Sequence, residues 1–133
     1  MIPAFEDNGY LPPGIHRATL DEIEARFGTE SELRRAQFES LTWPIDLVRR
    51  AGIQRLIIDG SFVTERFEPN DIDCILLVAL DHALDGAALN EISEGLPFLD
   101  IHSAEPSEFA LLTEQFFATD RDGMPKGLIE VIR

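Results

Sequence analysis

The residues of this chain best suited to chemistry include a pair of closely spaced aspartates. Asp71 and Asp73 are separated by one residue, at the start of the apolar run 72–80. Residues two apart on a strand point to the same face, so this spacing predicts two carboxylates side by side. Such charges repel unless a cation lies between them or one is protonated. Because Mg²⁺ prefers oxygen ligands and shares them with phosphates, the pair predicts a metal site for a phosphate-bearing substrate.

A Gly-Ser pair and a third aspartate complete the candidate site. Gly60 allows the main chain to turn sharply and approach a ligand, and Ser61, at the start of a short predicted helix, would direct free N–H groups toward an anion. Asp100 lies in another short apolar run. If that run forms a strand beside 72–80, three carboxylates could hold two divalent ions about 3.5–4 Å apart, the arrangement used for in-line phosphoryl or nucleotidyl displacement.

The elements that must position these residues predict an α/β (α+β) domain with a small mixed β-sheet flanked by helices. Turn-forming residues predict an irregular arm over residues 1–18, and Thr19 with Glu22 forms a capping box that starts a helix. Gly28 is expected to end that helix in the left-handed conformation, and Pro44 to kink or divide the next one. Further predicted helices cover about 30–51, 61–66, 85–95 and 106–118, and predicted strands cover 55–59, 72–80, 98–102 and 128–132.

Length, charge and composition limit the kind of protein that this chain can be. The 133 residues fit a single domain over 1–133, and the net charge of −14 argues against non-specific nucleic-acid binding. The single cysteine, Cys74, excludes an intrachain disulfide and a Cys-rich zinc site. No apolar run is long enough to cross a membrane, and the N-terminus has no signal-peptide pattern. We therefore expect a cytoplasmic protein without a membrane partner.

The order and spacing of Gly60-Ser61, Asp71-Ile72-Asp73 and Leu99-Asp100-Ile101 resemble the DNA polymerase β-type nucleotidyltransferase superfamily, particularly its minimal bacterial members. This resemblance covers about residues 53–103. The segments Leu11-Pro12-Pro13-Gly14-Ile15-His16 and Pro125-Lys126-Gly127 also resemble an uncharacterised bacterial branch of that superfamily. The resemblance implies a polymerase β-like fold in which Gly60 and Ser61 bind the nucleoside triphosphate.

The same resemblance implies a role for each acid. Asp71, Asp73 and Asp100 would be the catalytic and metal-binding residues, with Mg²⁺ or Mn²⁺ as cofactor, and Asp100 would also help to deprotonate the attacking hydroxyl. The implied reaction moves a nucleoside monophosphate from NTP to an acceptor hydroxyl of a protein, an RNA or a small molecule, and releases pyrophosphate.

One residue departs from the family pattern. Asp59 stands before the Gly-Ser pair, where the superfamily usually has an apolar or aromatic residue, and it would repel a triphosphate unless it points away. This acid and the small size of the chain leave an alternative open. The chain could be a non-catalytic module of the same fold, or an antitoxin-like member of a two-component system with a separate helical protein as partner.

Simpler interpretations accompany each motif. Asp71 and Asp73 could be solvated residues at the start of a strand, Gly60-Ser61 a plain tight turn, and Asp100 an edge-strand acid. Three further residues have two interpretations each. Arg66 and Lys126 could meet a phosphate or lie in solvent, and His102 could line the site or be an ordinary half-buried histidine.

Overall fold

The computed structural model describes residues 2–51, 53, 55–77 and 98–132, and within this part the chain forms a mixed α+β structure on one five-stranded sheet. The strands are β1 (Gly14–Thr19), β2 (Arg55–Asp59), β3 (Ile72–Leu77), β4 (Leu99–Ala104) and β5 (Gly127–Ile132). The helices are α1 (Leu20–Phe27), α2 (Glu32–Ala51) and α3 (Pro106–Leu111), with a 3₁₀ turn at Ser61–Val63 and a π-helical turn at Leu112–Phe116. The predicted mixed sheet with flanking helices is therefore confirmed.

The strand order across the sheet is β1-β5-β2-β3-β4. The outer pairs, β1 with β5 and β3 with β4, are parallel, and β2 is antiparallel to both of its neighbours. This topology brings the C-terminal end of β2 and the N-terminal ends of the other four strands to the same end of the sheet. The Gly-Ser pair and Asp71 lie in loops at that end, and Asp73 and Asp100 lie near the starts of β3 and β4.

Apolar side chains cover both faces of the sheet. One face packs against α1 and α2, with Leu56 and Cys74 among its buried members, and the other packs against α3 and the turn after it, with Ile57 and Ile75. Alternate residues of a strand face opposite sides, so Asp59 and Asp73 share the α3 face. Two covered faces explain why β2 and β3 read as nearly unbroken apolar runs.

The predicted start of α1 agrees with the structure, whereas the predicted conformation at its end does not. The capping box at Thr19 is present, with Glu22 donating its main-chain N–H to the Thr19 hydroxyl. Gly28 does end α1, but with φ of −99°, so the predicted left-handed conformation is wrong. A Cβ at this position would lie 3.1 Å from the Phe38 side chain, a tight contact that glycine avoids.

Two corrections concern longer segments. The predicted irregular arm over residues 1–18 is wrong at its end, since residues 14–18 belong to β1 and pair with β5 from the other end of the chain. A pairing partner more than a hundred residues away leaves no local sequence signal. The predicted division at Pro44 is also wrong, because α2 is assigned as one helix through that position.

The remaining predicted segments differ in extent. The predicted helix over 61–66 shortens to the 3₁₀ turn, and the helix predicted to end near 118 passes into the π-helical turn. The predicted helix over 85–95 lies outside the described residues. No helix in the described part of the chain is long and apolar enough to cross a membrane.

Candidate functional site

Two of the predicted acids meet on adjacent strands. Asp73 of β3 and Asp100 of β4 are register partners in a parallel pair, so their side chains share one face of the sheet. His102 lies two residues further along β4 on the same face. The ligand atoms of these three side chains all lie within 4.8 Å of one another, the one such group of metal-binding residues found in the described chain.

Asp71 takes a different place. It precedes β3, is exposed, and is not a member of the group formed by Asp73, Asp100 and His102. Its main chain, not its carboxylate, meets the Gly-Ser bend. The carboxylate still acts on Asp73 through its charge, because it is one of the groups that raise the pKa of Asp73.

Asp59 extends the acidic row by one strand. It is the antiparallel register partner of Asp73, so three aspartates, Asp59, Asp73 and Asp100, stand side by side across β2, β3 and β4. Like charges placed directly opposite each other destabilise a sheet. The row therefore needs compensating positive charge, and the described chain supplies part of it at one end.

That compensation comes from Lys126, which precedes β5. Its ammonium group donates to Oδ2 of Asp59 at 2.8 Å, where the side chains are 16% and 1% exposed. Burial raises the pKa of Asp59, and the ammonium group opposes that rise. Asp59 thus faces the site, but its carboxylate is buried and paired with a lysine.

The middle of the row is less well compensated. Burial raises the pKa of the Asp73 carboxyl, and the neighbouring Asp100 carboxylate raises it further, against the opposing effects of His102 and Lys126. Asp73 is half-buried, whereas the Asp100 side chain is 65% exposed. A divalent cation between them would relieve this repulsion, so the residues present fit the predicted metal.

Gly60 joins the two sequence motifs in space. Its φ of +92° lies in a region that favours glycine, and a Cβ there would lie 2.8 Å from the main-chain oxygen of Asp71 and 3.2 Å from Oδ2 of Asp73. The main chain at Gly60 therefore packs directly against the acidic motif. Ser61 follows in the 3₁₀ turn, and its Oγ accepts the main-chain N–H of Asn70 at 2.8 Å. Because the oxygen accepts that bond, the hydroxyl proton can donate outward.

A pocket of about 370 Å³ opens beside this bend. Its walls include Arg66, Lys126 and the acidic Glu65, together with Ser61 and Thr64. Two cationic side chains thus line a pocket next to the acidic row, in a protein whose net charge is −14. The arrangement can hold an anion in the pocket and a cation at the acids.

Two residues that sequence reasoning missed hold the loop between the motifs. Arg34 of α2 is buried and donates to the main-chain oxygens of Phe62 at 2.8 Å and Thr64 at 2.9 Å, and also to those of Phe27 and Arg66. Gln37, one turn further on, donates to the oxygen of Pro69 at 2.8 Å. Their spacing from the buried Leu41 places both on the inward face of α2. That spacing is the signal that could have identified them.

A family model matches residues 3–132 of the chain, and its description is a family of unknown function, DUF6932. No curated protein and no solved structure matches the chain.

Proposed function

We propose that this chain, which belongs to the DUF6932 family of unknown function, is a metal-dependent nucleotidyltransferase with a polymerase β-like fold. One observation carries the proposal. Asp73 and Asp100 share a register position on adjacent strands, and Gly60 leaves no room for a Cβ beside Asp71 and Asp73, next to a pocket whose walls include two cations and one acid. This is the convergence of acids and a glycine-serine bend that the sequence resemblance requires.

The acids would hold the metal. Asp73 and Asp100, with Asp71 reaching in from the loop, would bind Mg²⁺ or Mn²⁺ through their carboxylates. When bound, the ion would supply Lewis-acid stabilisation of charge on the phosphate oxygens. The raised pKa of Asp73 supports this role, because an uncompensated carboxylate gains most from an added cation.

The pocket would hold the phosphates. Ser61 can donate its hydroxyl proton, and Arg66 lines the same pocket with a guanidinium group suited to phosphate oxygens. The ammonium group of Lys126 has three N–H donors. One of them donates a hydrogen bond to Asp59, so the others can donate to a phosphate. These side chains would orient the triphosphate while Asp59 keeps Lys126 in place.

The transfer itself exchanges one bond to phosphorus for another. The acceptor hydroxyl oxygen attacks the α-phosphorus, the bond to the β-phosphate bridging oxygen breaks, and pyrophosphate leaves. Asp100 takes the hydroxyl proton, a role that suits its position because its side chain is 65% exposed and open to an incoming acceptor.

The decisive test is NTP binding followed by pyrophosphate release. We expect calorimetry with Mg²⁺ or Mn²⁺ to show NTP binding, and pyrophosphate release to appear when a cell extract supplies acceptors. Asp100→Asn should slow release by about a hundredfold or more, and Asp73→Asn should abolish it. Glu24→Gln, an exposed acid on α1 beyond the opposite face, is the matched control and should leave the rate unchanged.

Two results would count against the proposal. Absence of NTP binding by the folded wild-type protein with either metal would overturn it. Tight NTP binding without pyrophosphate release over a broad acceptor screen would instead identify a non-catalytic module of the same fold.

A further inference from the structure

His102 occupies an unusual position between two acids. Its Nε2 lies 3.8 Å from Oδ1 of Asp73 and 3.9 Å from Oδ1 of Asp100. Both distances exceed the upper limit of about 3.2 Å for an N–H···O hydrogen bond. The same nitrogen is shielded from solvent and has no hydrogen-bond partner within the described part of the chain. A shielded, unpartnered ring nitrogen is thus aimed at two carboxylates without bonding to either.

The ring is held in this orientation by its surroundings. Phe117, which follows the π-helical turn, packs against it with ring centroids 5.1 Å apart and an interplanar angle of 57°. The two-residue repeat of β4 keeps the ring on the same face as Asp100. The aromatic contact and the strand together hold the plane of the ring beside the two acids.

The spacing fits three ligands around one ion. Ligand atoms about 2.1 Å from a shared ion lie roughly 3 Å apart when they are at right angles. The two separations that involve His102 are 3.8 and 3.9 Å, and all three ligand atoms lie within 4.8 Å of one another, so contraction by about 1–2 Å would bring the atoms to these distances. Two carboxylates and a neutral imidazole also balance the charge of a divalent cation.

We propose that His102, Asp73 and Asp100 form a three-ligand site that selects a first-row transition ion such as Mn²⁺ over Mg²⁺. Mg²⁺ favours oxygen ligands and keeps its water, whereas an imidazole nitrogen binds transition ions more strongly. These three ligands, with Asp71 as a fourth from the loop, leave two positions of a six-coordinate ion for phosphate oxygens. The inference deepens the proposed function and rests on it for the ion's part in turnover, while binding of the ion alone needs no nucleotide.

The test uses Mn²⁺ alone as the probe. Loss of the free-ion electron paramagnetic resonance signal measures Mn²⁺ affinity, and competition with Mg²⁺ gives the preference between the two. His102→Asp keeps a ligand at this position but makes it oxygen, so we expect the preference for Mn²⁺ to fall by about tenfold or more. His16→Asn is the matched control, because β1 lies at the opposite edge of the sheet from β4, and it should keep the wild-type preference.

A second measurement needs no variant. At substoichiometric Mn²⁺ the proton NMR signals of the His102 ring should broaden before those of His16. An unchanged Mn²⁺ preference in a folded His102→Asp protein, unbroadened His102 signals, or no Mn²⁺ binding at all would each overturn the inference. Mn²⁺ binding without NTP binding would defeat only the proposed function, and NTP binding with equal preference for Mg²⁺ and Mn²⁺ would defeat only this inference.

Discussion

The ammonium nitrogen of Lys126 lies 2.8 Å from Oδ2 of Asp59, and both side chains are largely shielded from water. The contact ties the residue that precedes β5 to the last residue of β2, directly beside the Gly-Ser bend. It also neutralises one end of the row formed with Asp73 and Asp100. The pair therefore links the stability of this end of the sheet to the charge of the candidate site.

Removing one partner of this pair should destabilise the fold. Lys126→Met leaves the buried Asp59 carboxylate uncompensated, so we expect the free energy of unfolding to fall by about 3 kcal/mol. Urea unfolding at neutral pH measures this. Adding Asp59→Asn to Lys126→Met removes the orphaned charge and should recover part of the loss. Equal stability of the single and the double variant would contradict the assignment of a buried ion pair.

Gly60→Ala should lower the free energy of unfolding by more than backbone strain alone would. Gly60 and Gly123 both have positive φ, of +92° and +80°, but a Cβ at Gly60 would lie 2.8 Å from the main-chain oxygen of Asp71, whereas a Cβ at Gly123 meets nothing within 4 Å. Strain from positive φ should cost Gly123→Ala about 1–2 kcal/mol, and Gly60→Ala about 1–3 kcal/mol, because its φ/ψ of +92°/−175° lies in a region that essentially only glycine adopts. Crowding should add roughly 1–3 kcal/mol to Gly60→Ala.

The paired glycine variants are compared by thermal and urea unfolding, with NTP binding measured in parallel. Only Gly60→Ala is expected to weaken NTP binding, because it separates the bend from the acidic motif. If Gly123→Ala were equally destabilising, the close approach of Gly60 to Asp71 would not be the cause.

Arg34 should prove essential for the loop that carries Ser61 and Arg66. Arg34→Met leaves several main-chain oxygens without their donor, including those of Phe62 and Thr64. Each unsatisfied buried acceptor costs about 1–3 kcal/mol, so we expect a loss of roughly 3 kcal/mol or more. The exposed neighbour Arg35, replaced in the same way, should change stability by no more than about 0.5 kcal/mol.

Limited proteolysis gives a second measure of the same effect. In Arg34→Met, cleavage within residues 64–70 should become faster than in wild type, since the guanidinium group no longer holds this segment to α2. Unchanged cleavage there would show that the loop is held by other contacts.

Tyr10→Phe should destabilise the fold in a defined pH window. The Tyr10 hydroxyl donates to Oδ2 of Asp120 at 2.7 Å. This bond lowers the pKa of Asp120 below 3.8 and raises the pKa of Tyr10 above 10.0. The stability from Asp120 is present above its unfolded pKa and is lost as pH falls through its lowered folded pKa. The stability from Tyr10 is present below 10.0 and is lost as pH rises through its raised folded pKa.

The difference in unfolding free energy between wild type and Tyr10→Phe should therefore be largest from about pH 5 to 9 and should shrink at both ends. Urea unfolding over a pH series measures it. Asp120→Ala removes the acceptor, and in that background Tyr10→Phe should have little further effect. A difference that does not vary with pH would rule out this hydrogen bond as its source.

Local patterns were sufficient for much of the fold. The capping box at Thr19 predicted the start of α1, and the apolar runs predicted β2 and β3, because both signals depend on residues close in the chain. The edge strand β1 was missed because its partner is β5. At Pro44 the helix α2 continues without a division, and Gly28 ends α1 beside Phe38 without the left-handed conformation.

For the candidate site, the sequence alone determined the residue types: the aspartate spacing, the glycine-serine bend and the expectation of a metal with a phosphate. Tertiary structure decided which groups meet. Register across β2, β3 and β4 aligned Asp59, Asp73 and Asp100, left Asp71 outside the cluster and brought in His102 and Lys126. Strand pairing joins residues that are distant in sequence, and the environment of each carboxylate depends on those partners. A pattern of residues close in the chain therefore could not specify which groups surround each acid.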